Sequence, residues 1–375
     1  MNSNIEFSTN CLNNKEKIMA RSRYTVVTLL LICLILWALV LNVNMGSAPI
    51  PASEIFIKIG NAIKYKVLDI FTRGQYQVEL NEVIGGGTVS RIIFGIRMPR
   101  MLLAGLLGGA LALSGFLLQT FFRNPMAGPF VLGISSGARM IVAICIIFLV
   151  PIIGVLGSME MVIASFFGSL IIVMVVLVFS RRVSNMSMIL VIGIMVGYVC
   201  SSVTDFAITF ASESEIANLT GWSMGSFSGA NWSDVGISSI ICLSGLLLAW
   251  LLSKPMGAYA LGEGYAKSMG VDIKRFRMAL ILLTSLLSSS VIAFAGPISF
   301  VGIAVPHISR SLLGTSKPSV VVPITFLCGA LFCIICDLIA RTAFAPTELA
   351  IGTVTSAFGA PIVIYMLLKR QKRRV

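Results

Sequence analysis

The stretch IRMPRMLLAGLLGGALALSGFLLQTFFRNPMAGPFVLGISSGA (96–138) decides the fold, because an apolar run long enough to cross a bilayer leads into a break rich in proline and glycine. Within the run, small residues recur at spacings of three and four and form one smooth stripe: Gly105, Gly108, Ala112 and Gly115. Such a stripe lets helix backbones approach closely. It predicts a central helix. Two roles stay open for the glycines, which are close packing against neighbouring helices and direct lining of a translocation path.

The break itself carries residues that interrupt helices at membrane depth, namely Asn124, Pro125, Gly128, Pro129, Gly133 and Gly137. Irregular backbone is tolerated there only where protein or a water-filled cavity satisfies it, which is typical of transporters. A later segment, GPISFVGIAVPHISR (296–310), shares a short likeness with GPFVLGI (128–134) and suggests two related halves. For His307, which follows Pro306, hydrogen bonding to freed backbone is favoured over a role as a substrate ligand.

The composition extends this interpretation to the whole chain. Of the 375 residues, 57% are hydrophobic and only 11% are charged, and the mean hydropathy is +0.96. These values exclude a soluble enzyme and a disordered chain, and they predict an all-α polytopic membrane protein. Apolar runs and their flanking charges predict ten spans: 24–44, 100–121, 138–155, 160–180, 187–209, 235–253, 278–296, 298–313, 319–341 and 348–368.

The positive charge acts as a topology signal rather than as a nucleic-acid site. The net charge is +13, and the basic residues lie mostly at the ends of apolar runs. With a cytoplasmic N-terminus, alternation places 19 of the 28 basic residues inside. We therefore expect a cytoplasmic tail over 1–23, a ten-helix membrane domain over 24–370 with a cytoplasmic segment at 254–277, and a basic cytoplasmic tail over 371–375. The protein should be a multi-pass component of a cytoplasmic membrane.

Several kinds of chemistry have no motif in this chain. A GxxxxGK[ST] phosphate loop is absent from the sequence, so ATP hydrolysis is not expected of it. Cys333 and Cys336 have CxxC spacing but lie in an apolar run without the context of a redox or metal motif, and no metal site is predicted. Few carboxylates fall in the middle of the spans, which counts against an ion-coupled secondary transporter. That class remains the alternative.

Five ordered blocks carry a resemblance that covers essentially the whole chain beyond the N-terminal tail. They are residues 96–138, GWSMGSFSGANW (221–232), ALGEGYAKSMGV (260–271), GPISFVGIAVPHISRSLLG (296–314) and GALFCIICDLIARTAFAPTELAIGTVTSAFGAPIVIYMLLKR (329–370). The sequence resembles the FecCD-type permeases, the membrane subunits of binding-protein-dependent ABC importers for iron-siderophores, haem and vitamin B12.

The resemblance implies a fold, a set of partners and a mode of action. It implies the ten-helix permease fold of vitamin B12 importers, a second permease subunit, two separate ABC ATPase subunits that bind ATP-Mg, and an extracytoplasmic substrate-binding protein. The chain itself would bind no cofactor and would not be an enzyme. We expect a homodimer that imports an iron-siderophore or a related haem or corrinoid chelate. The sequence identifies neither the cargo nor whether the second subunit is an identical chain or a paralogue.

Three arginines are predicted to dock the binding protein: Arg97, Arg100 and Arg341. They lie at the predicted outer ends of spans, against the positive-inside bias. The resemblance implies that arginines at these positions receive acidic residues of the binding protein, and a guanidinium suits that role because it holds a carboxylate with two hydrogen bonds. The alternative is internal neutralisation, which is strongest for Arg341 because Asp337 lies four residues earlier.

The resemblance places the ATPase-coupling helices in KPMGAYALGEGYAKSMGVDIKRFR (254–277). The expected coupling residues are Tyr259, Ala260, Leu261, Gly262, Glu263, Gly264, Ala266, Met269 and Gly270. An ordinary cytoplasmic linker is the alternative. The residues assigned to the translocation path and its helix breaks are Gly105, Gly108, Gly115, Asn124, Pro125, Gly133, Pro306 and His307. Arg139 departs from the family, which more often has a small or apolar residue there. This cation could favour an anionic ferric-siderophore or could face an interface.

Overall fold

The structure is a computed structural model that describes residues 2–46, 50–72, 76–130, 132–154, 157–180 and 186–372. Its described residues are almost entirely helical. The helices, numbered along the chain, are α1 (Asn2–Asn44), α2 (Ala52–Phe71), α3 (Gln77–Gly85), α4 (Thr88–Phe121), α5 (Ile134–Ile152), α6 (Ser158–Ser180), α7 (Met186–Ile208), α8 (Glu213–Met224), α9 (Trp232–Leu251), α10 (Ser253–Leu261), α11 (Glu263–Ser268), α12 (Ile273–Ala295), α13 (Val301–Leu313), α14 (Pro318–Thr342) and α15 (Ile351–Lys372).

The predicted spans coincide with ten of these helices, but two of the ten are short. Among the described residues, eight helices are long and apolar enough to cross a membrane. The helix α13 has only 13 residues, since its first turn begins after the break at Phe300 rather than at 298. In α15 the apolar part of the described helix is Ile351–Tyr365. The exact number of spanning helices therefore stays a prediction.

Helix ends follow local chemistry. Ser212 and Glu215 form a reciprocal capping box at the start of α8. Asn231 accepts a hydrogen bond from the Asp234 amide to begin α9, and Asp272 accepts one from the Arg275 amide to begin α12.

The helix α4 is the centre of the fold, as the small-residue stripe predicted. In its most apolar window 89% of the residues are buried, against 22% for α1. A side chain at Gly108 would meet Cys333 and the Gly329 carbonyl of α14, each 2.5 Å from the Cβ position. One at Gly115 would overlap the backbone of Gly302 in α13. The glycines therefore lie where α4 packs against α13 and α14.

The two helix breaks lie against each other, a relationship that the sequence did not predict. The ring of Pro129 lies 3.1 Å from the Cβ position of Gly302, and Ile303 lies 2.8 Å from that of Gly128. The first break thus packs on the first turn of α13, directly after the second break. The two segments of irregular backbone therefore contact protein, the environment that irregular backbone needs at membrane depth.

The long segment between the first two predicted spans (45–99), which the predicted topology places outside, contains two helices. In α2, Ile55 and Ala62 are buried and belong to the same apolar cluster as Val43 of α1 and Phe94 of α4. The helix α3 follows, and the run Gly85–Gly87 then leads into α4, with Gly87 at a φ of +93°. Glycine suits this point because a positive φ is strained for other residues.

Candidate functional site

The predicted docking residue Arg100 lies in a buried ion-pair cluster in the first half of α4. Its Nη2 lies 2.9 Å from Asp337 Oδ1 of α14, and its Nε also donates to that carboxylate at 3.0 Å. Its Nη1 donates to both oxygens of Glu348 at 3.0 Å. Because Glu348 lies in the segment between α14 and α15, Arg100 connects three parts of the chain.

The second predicted docking residue, Arg341, is bound to α1 and to its own helix. Its Nη2 donates to the carbonyl and side-chain oxygens of Asn42, both at 2.6 Å. The side-chain amide of Asn42 in turn donates to the Ile334 carbonyl of α14 at 3.3 Å. The pairing of Arg341 with Asp337 that the sequence suggested is present, with 3.7 Å between Nε and Oδ2.

Arg97 contacts the end of α1. Its guanidinium donates to the Val43 carbonyl and, at 3.5 Å, to the Asn44 carbonyl. Arg97, Arg100 and Arg341 are only 4%, 6% and 8% exposed. Arg100 and Arg341 share the carboxylate of Asp337, and Arg97 binds the end of α1 directly after Asn42, the partner of Arg341. We call this group of residues the outer cluster: Asn42, Arg97, Arg100, Asp337, Arg341 and Glu348.

The outer cluster supplies an internal reason for arginines at these positions. Charges at membrane depth are costly unless they are paired, and here cations of α4 and α14 share the carboxylate of Asp337. Sequence spacing could identify the Asp337–Arg341 pair. It could not identify the pair of Arg100 with Asp337, because these residues are 237 positions apart. A docking role for the arginines stays a prediction.

The part of α13 around Pro306 is stabilised by a polar residue that sequence reasoning missed. Pro306 lacks an amide hydrogen, so the Gly302 carbonyl in α13 loses its usual helical donor. Gln119 of α4 donates to the Gly302 carbonyl at 3.4 Å and to the Ile303 carbonyl at 3.3 Å. Its own side-chain oxygen accepts from Arg310. The available signal in the sequence was a glutamine inside the apolar run FLLQTFF (116–122). His307, assigned to freed backbone on sequence grounds, is partly buried.

The remaining path residues shape the first break. The side-chain oxygen of Asn124 accepts a hydrogen bond from the Met126 amide at 2.9 Å and thereby forms a tight turn that contains Pro125. Gly133 has a φ of +72°, and a side chain there would lie 2.7 Å from the Gly193 carbonyl of α7. In α4, the Cβ position of Gly105 lies 3.1 Å from the Ile334 side chain of α14. These contacts explain the residue types, and lining of a path by these residues stays a prediction.

The predicted coupling segment forms α10 and α11, and Tyr259 attaches it to the rest of the chain. The Arg123 guanidinium lies 4.4 Å from the centre of the Tyr259 ring and donates to its carbonyl at 2.8 Å. Arg277 donates to the Tyr259 hydroxyl at 3.2 Å and pairs with Glu263 at 3.1 Å. Tyr259 is buried, and so is Ala266 of α11. These two residues therefore position the segment from within.

Other residues of the segment face outward. Leu261 and Met269 are 72% and 63% exposed, and Tyr265 is 48% exposed. The Cβ position of Gly264 has no atom within 4 Å. We call Leu261, Gly264, Tyr265 and Met269 the coupling surface. Sequence reasoning missed Tyr265, although an aromatic side chain within the polar stretch GEGYAKS was the available signal.

The described residues include no group of three or more His, Cys, Asp or Glu side chains that could hold a metal ion.

A bundle of long apolar helices around α4, with two broken segments in contact, defines a polytopic membrane protein of the permease class. A model of the FecCD transport family matches residues 29–369, and the chain therefore belongs to that family. The resemblance found in the sequence is confirmed.

Two relatives and one solved structure are similar to this chain. The chain is 37% identical over 281 residues to the vitamin B12 import system permease protein BtuC of Klebsiella pneumoniae subsp. pneumoniae, which covers 75% of this chain and 83% of that one. The BtuC protein of Salmonella typhi is also 37% identical, over 279 residues, covering 74% and 83%. A solved structure described as an inward-facing metal-chelate type ABC transporter has a TM-score of 0.73 at 24% identity, covering 92% of this chain and 99% of that chain. It shows that the fold is shared.

Proposed function

We propose that this protein is the permease subunit of an ABC importer that carries an iron-siderophore or a related haem or corrinoid chelate into the cytoplasm. Family membership and the 37% identity to vitamin B12 permeases support the class of cargo. One structural observation carries the proposal. The fold combines long apolar helices with the coupling surface, whose apolar side chains are exposed at one end of the bundle.

The coupling surface supports a separate ATPase as the source of energy. Leu261, Tyr265 and Met269 expose apolar area on two short helices that Tyr259 and Ala266 hold in place. Apolar side chains on a polar segment outside the spans are typical of a protein contact. An ATPase groove that closes on this surface would pass its movement through Tyr259 to Arg123, at the end of α4.

The outer cluster lies at the opposite end of α4, where a binding protein would dock. Glu348, with 45% of its side chain exposed, accepts two hydrogen bonds from Arg100. A carboxylate of the binding protein could replace Glu348 as the partner of Arg100, because both present the same two oxygens to the guanidinium. In this proposal Arg100 pairs with Glu348 before docking and with a carboxylate of the binding protein after docking.

A face of α7 supports a path at the contact with a second, identical permease subunit. Ser201, Ser202 and Asp205 are exposed within or near the end of this apolar helix. Polar side chains in spans usually face a water-filled cavity or a partner rather than lipid. An identical copy placed against α7 would enclose these residues between the subunits.

Reconstitution tests the proposal. The permease, its ATPase and its binding protein would be placed in proteoliposomes, and uptake of ferric siderophore, haem and cobalamin compared. We expect uptake of one class of cargo that requires both partners, with ATP supplied on the side of the membrane that carries the ATPase. An ATPase variant that cannot hydrolyse ATP is the control. Uptake driven by an ion gradient without the ATPase would instead identify a secondary transporter.

A further inference from the structure

The helix α2 presents apolar side chains on a face that this chain does not cover. Phe56, Ile57 and Ile63 are each more than half exposed. On another face, Ile55 and Ala62 are buried in an apolar cluster with residues of α1 and α4. Exposed apolar surface of this kind is unfavourable in water, so the first face needs an apolar neighbour from outside the chain.

The position of α2 identifies that neighbour. Its buried residues share their cluster with Val43, the last residue but one of the span in α1, and with Phe94 of α4. The Phe94 carbonyl accepts a hydrogen bond at 2.8 Å from the indole of Trp232, the first residue of the span in α9. Tryptophan is typical of the boundary between acyl chains and lipid headgroups. The helix α2 therefore lies where spans end, at the membrane boundary that the predicted topology places outside.

Two lysines flank the exposed apolar face. At about 3.6 residues per turn, Phe56 and Ile63 share one face of the helix, with Lys64 on one flank of it. Lys66 lies on the other flank. Both lysines are exposed, and neither forms an ion pair among the residues that the structure describes. Lysines beside an apolar face are typical of helices that lie on a membrane, because the alkyl stem stays in the apolar layer while the ammonium reaches a phosphate.

We propose that α2 lies on the outer leaflet and binds anionic phospholipid. Phe56 and Ile63 enter the acyl region, and the two lysines bind headgroup phosphates. An acidic protein surface would match the lysines but not the apolar face beside them, which is why lipid is favoured over the binding protein as the occupant. Such a contact requires no transported cargo and goes beyond the proposed import function.

The lipid contact would also support the outer cluster. The carbonyl of Val43, against which α2 packs, accepts a hydrogen bond from Arg97. A helix fixed to the headgroups would therefore hold the end of α1 in place beside this arginine.

The first test measures which medium covers the exposed face. The full-length chain without its native cysteines, in nanodiscs that contain phosphatidylglycerol, would carry a nitroxide spin label at Ile63→Cys. Relaxation of the label by oxygen, which concentrates among acyl chains, is compared with relaxation by a neutral nickel chelate, which stays in water. We expect oxygen to be the stronger relaxant. Asn61→Cys is the matched control, since Asn61 is exposed on a different side of the same helix, and there the nickel chelate should be stronger.

Three results of this test would overturn the proposal. Stronger relaxation by nickel at both positions would place the exposed face in water. Nickel access at Ile63→Cys that is lost when the binding protein is added would identify that protein as the occupant. A label at Ile63→Cys that neither relaxant reaches would show that a second copy of the chain covers the face.

The second test measures the headgroup contact in a chain that keeps its native cysteines. Thermal unfolding in detergent is followed while phosphatidylglycerol or phosphatidylcholine is added, since a lipid that binds the folded state raises the midpoint. With Lys64→Gln and Lys66→Gln together, the phosphatidylglycerol concentration that gives half of the full stabilisation should rise about fivefold or more, because a lysine near an anionic lipid surface contributes about a fivefold preference.

Lys267→Gln with Lys274→Gln is the matched control, because it removes two exposed positive charges elsewhere in the chain. This pair should leave the half-stabilising concentration unchanged. The proposal would be overturned if phosphatidylglycerol stabilised the wild-type chain no more than phosphatidylcholine does. No rise in the α2 pair, or an equal rise in both pairs, would overturn it as well.

Discussion

Arg100 and Asp337 form a buried ion pair that joins α4 to α14, with 2.9 Å between Nη2 and Oδ1. Both side chains are almost fully enclosed, at 7% and 2% exposure. The same carboxylate also faces Arg341 at 3.7 Å. One anion thus neutralises cations on two helices, and Glu348 supplies the second negative charge from the segment that follows α14.

The first prediction concerns this pair. Asp337→Asn should lower the stability of the purified protein by about 3–5 kcal/mol, because removal of one partner leaves a buried charge uncompensated. Glu348→Gln is the control, and its half-exposed ion pair should contribute only about 0–1 kcal/mol. Unfolding in detergent, followed by heating or by denaturant, measures both. Equal stability of Asp337→Asn and Glu348→Gln would contradict a structural role for the pair.

The second prediction tests docking at the outer cluster. If the binding protein replaces Glu348 at Arg100, Glu348→Gln should strengthen its association a few-fold at low salt, since one competing carboxylate is removed. Glu213→Gln is the matched control, because Glu213 is an exposed carboxylate in the first turn of α8. Association rates and their salt dependence would be measured on the reconstituted complex. An equal change in both variants would indicate a general charge effect and exclude exchange at Arg100.

The third prediction uses two glycines of the α4 stripe. Gly108→Ala should destabilise the protein by about 1–3 kcal/mol, because the added methyl meets the rigid Gly329 carbonyl at 2.5 Å. Gly105→Ala should cost less, since its nearest contact is the flexible end of Ile334 at 3.1 Å. Unfolding of both variants provides the comparison. If Gly105→Ala were the more damaging of the two, the packing of α4 on α14 would differ from this arrangement.

The sequence predicted the long apolar helices well, but not the breaks and the short helices between them. Apolar runs predicted α14 to within a residue at each end, since 319–341 was expected and Pro318–Thr342 is observed. The same reasoning extended α13 too far, because hydropathy does not register a break at Phe300. Helices inside the long outer segment were also missed. Hydropathy reports burial in lipid and is a poor guide to short amphipathic helices outside the spans.

In the candidate site, too, the sequence predicted which residues matter but not their long-range contacts. The positions of Arg97, Arg100 and Arg341 could be read from motifs. The contacts of Arg100 with Glu348 and of Arg341 with Asn42 could not, because the partners are distant in sequence. Within the coupling segment, residue types alone did not distinguish buried Tyr259 from exposed Tyr265. That distinction follows from Arg123 and Arg277, which hold Tyr259 from two other parts of the chain.

The fourth prediction concerns orientation. In a cysteine-free background, Ser214→Cys near the start of α8 should react with impermeant thiol reagents from outside intact cells, and Ser268→Cys in α11 should react only after the membrane is opened. Both positions are exposed, so a lack of reaction reflects the side of the membrane rather than burial. The positive-inside charge bias is the reason for this assignment. Labelling of Ser268→Cys from outside would invert or replace the predicted topology.

The last prediction concerns the coupling surface. Gly264→Trp should leave folding and membrane insertion intact, because the Cβ position of Gly264 has no neighbour within 4 Å in this chain. If an ATPase groove packs against this point, the indole would overfill the contact and weaken ATPase association and uptake about ten- to hundredfold. Binding-protein docking at the other end should be unchanged.

Two controls separate the alternatives. Gly60→Trp places the same side chain at another open glycine, in α2, and Lys267→Ala removes an exposed charge whose 3.8 Å ion pair with Glu263 contributes little. Both controls should transport normally. Wild-type ATPase association in Gly264→Trp, measured by copurification from detergent, would identify the segment as a linker, because a packed groove has no room for the added ring.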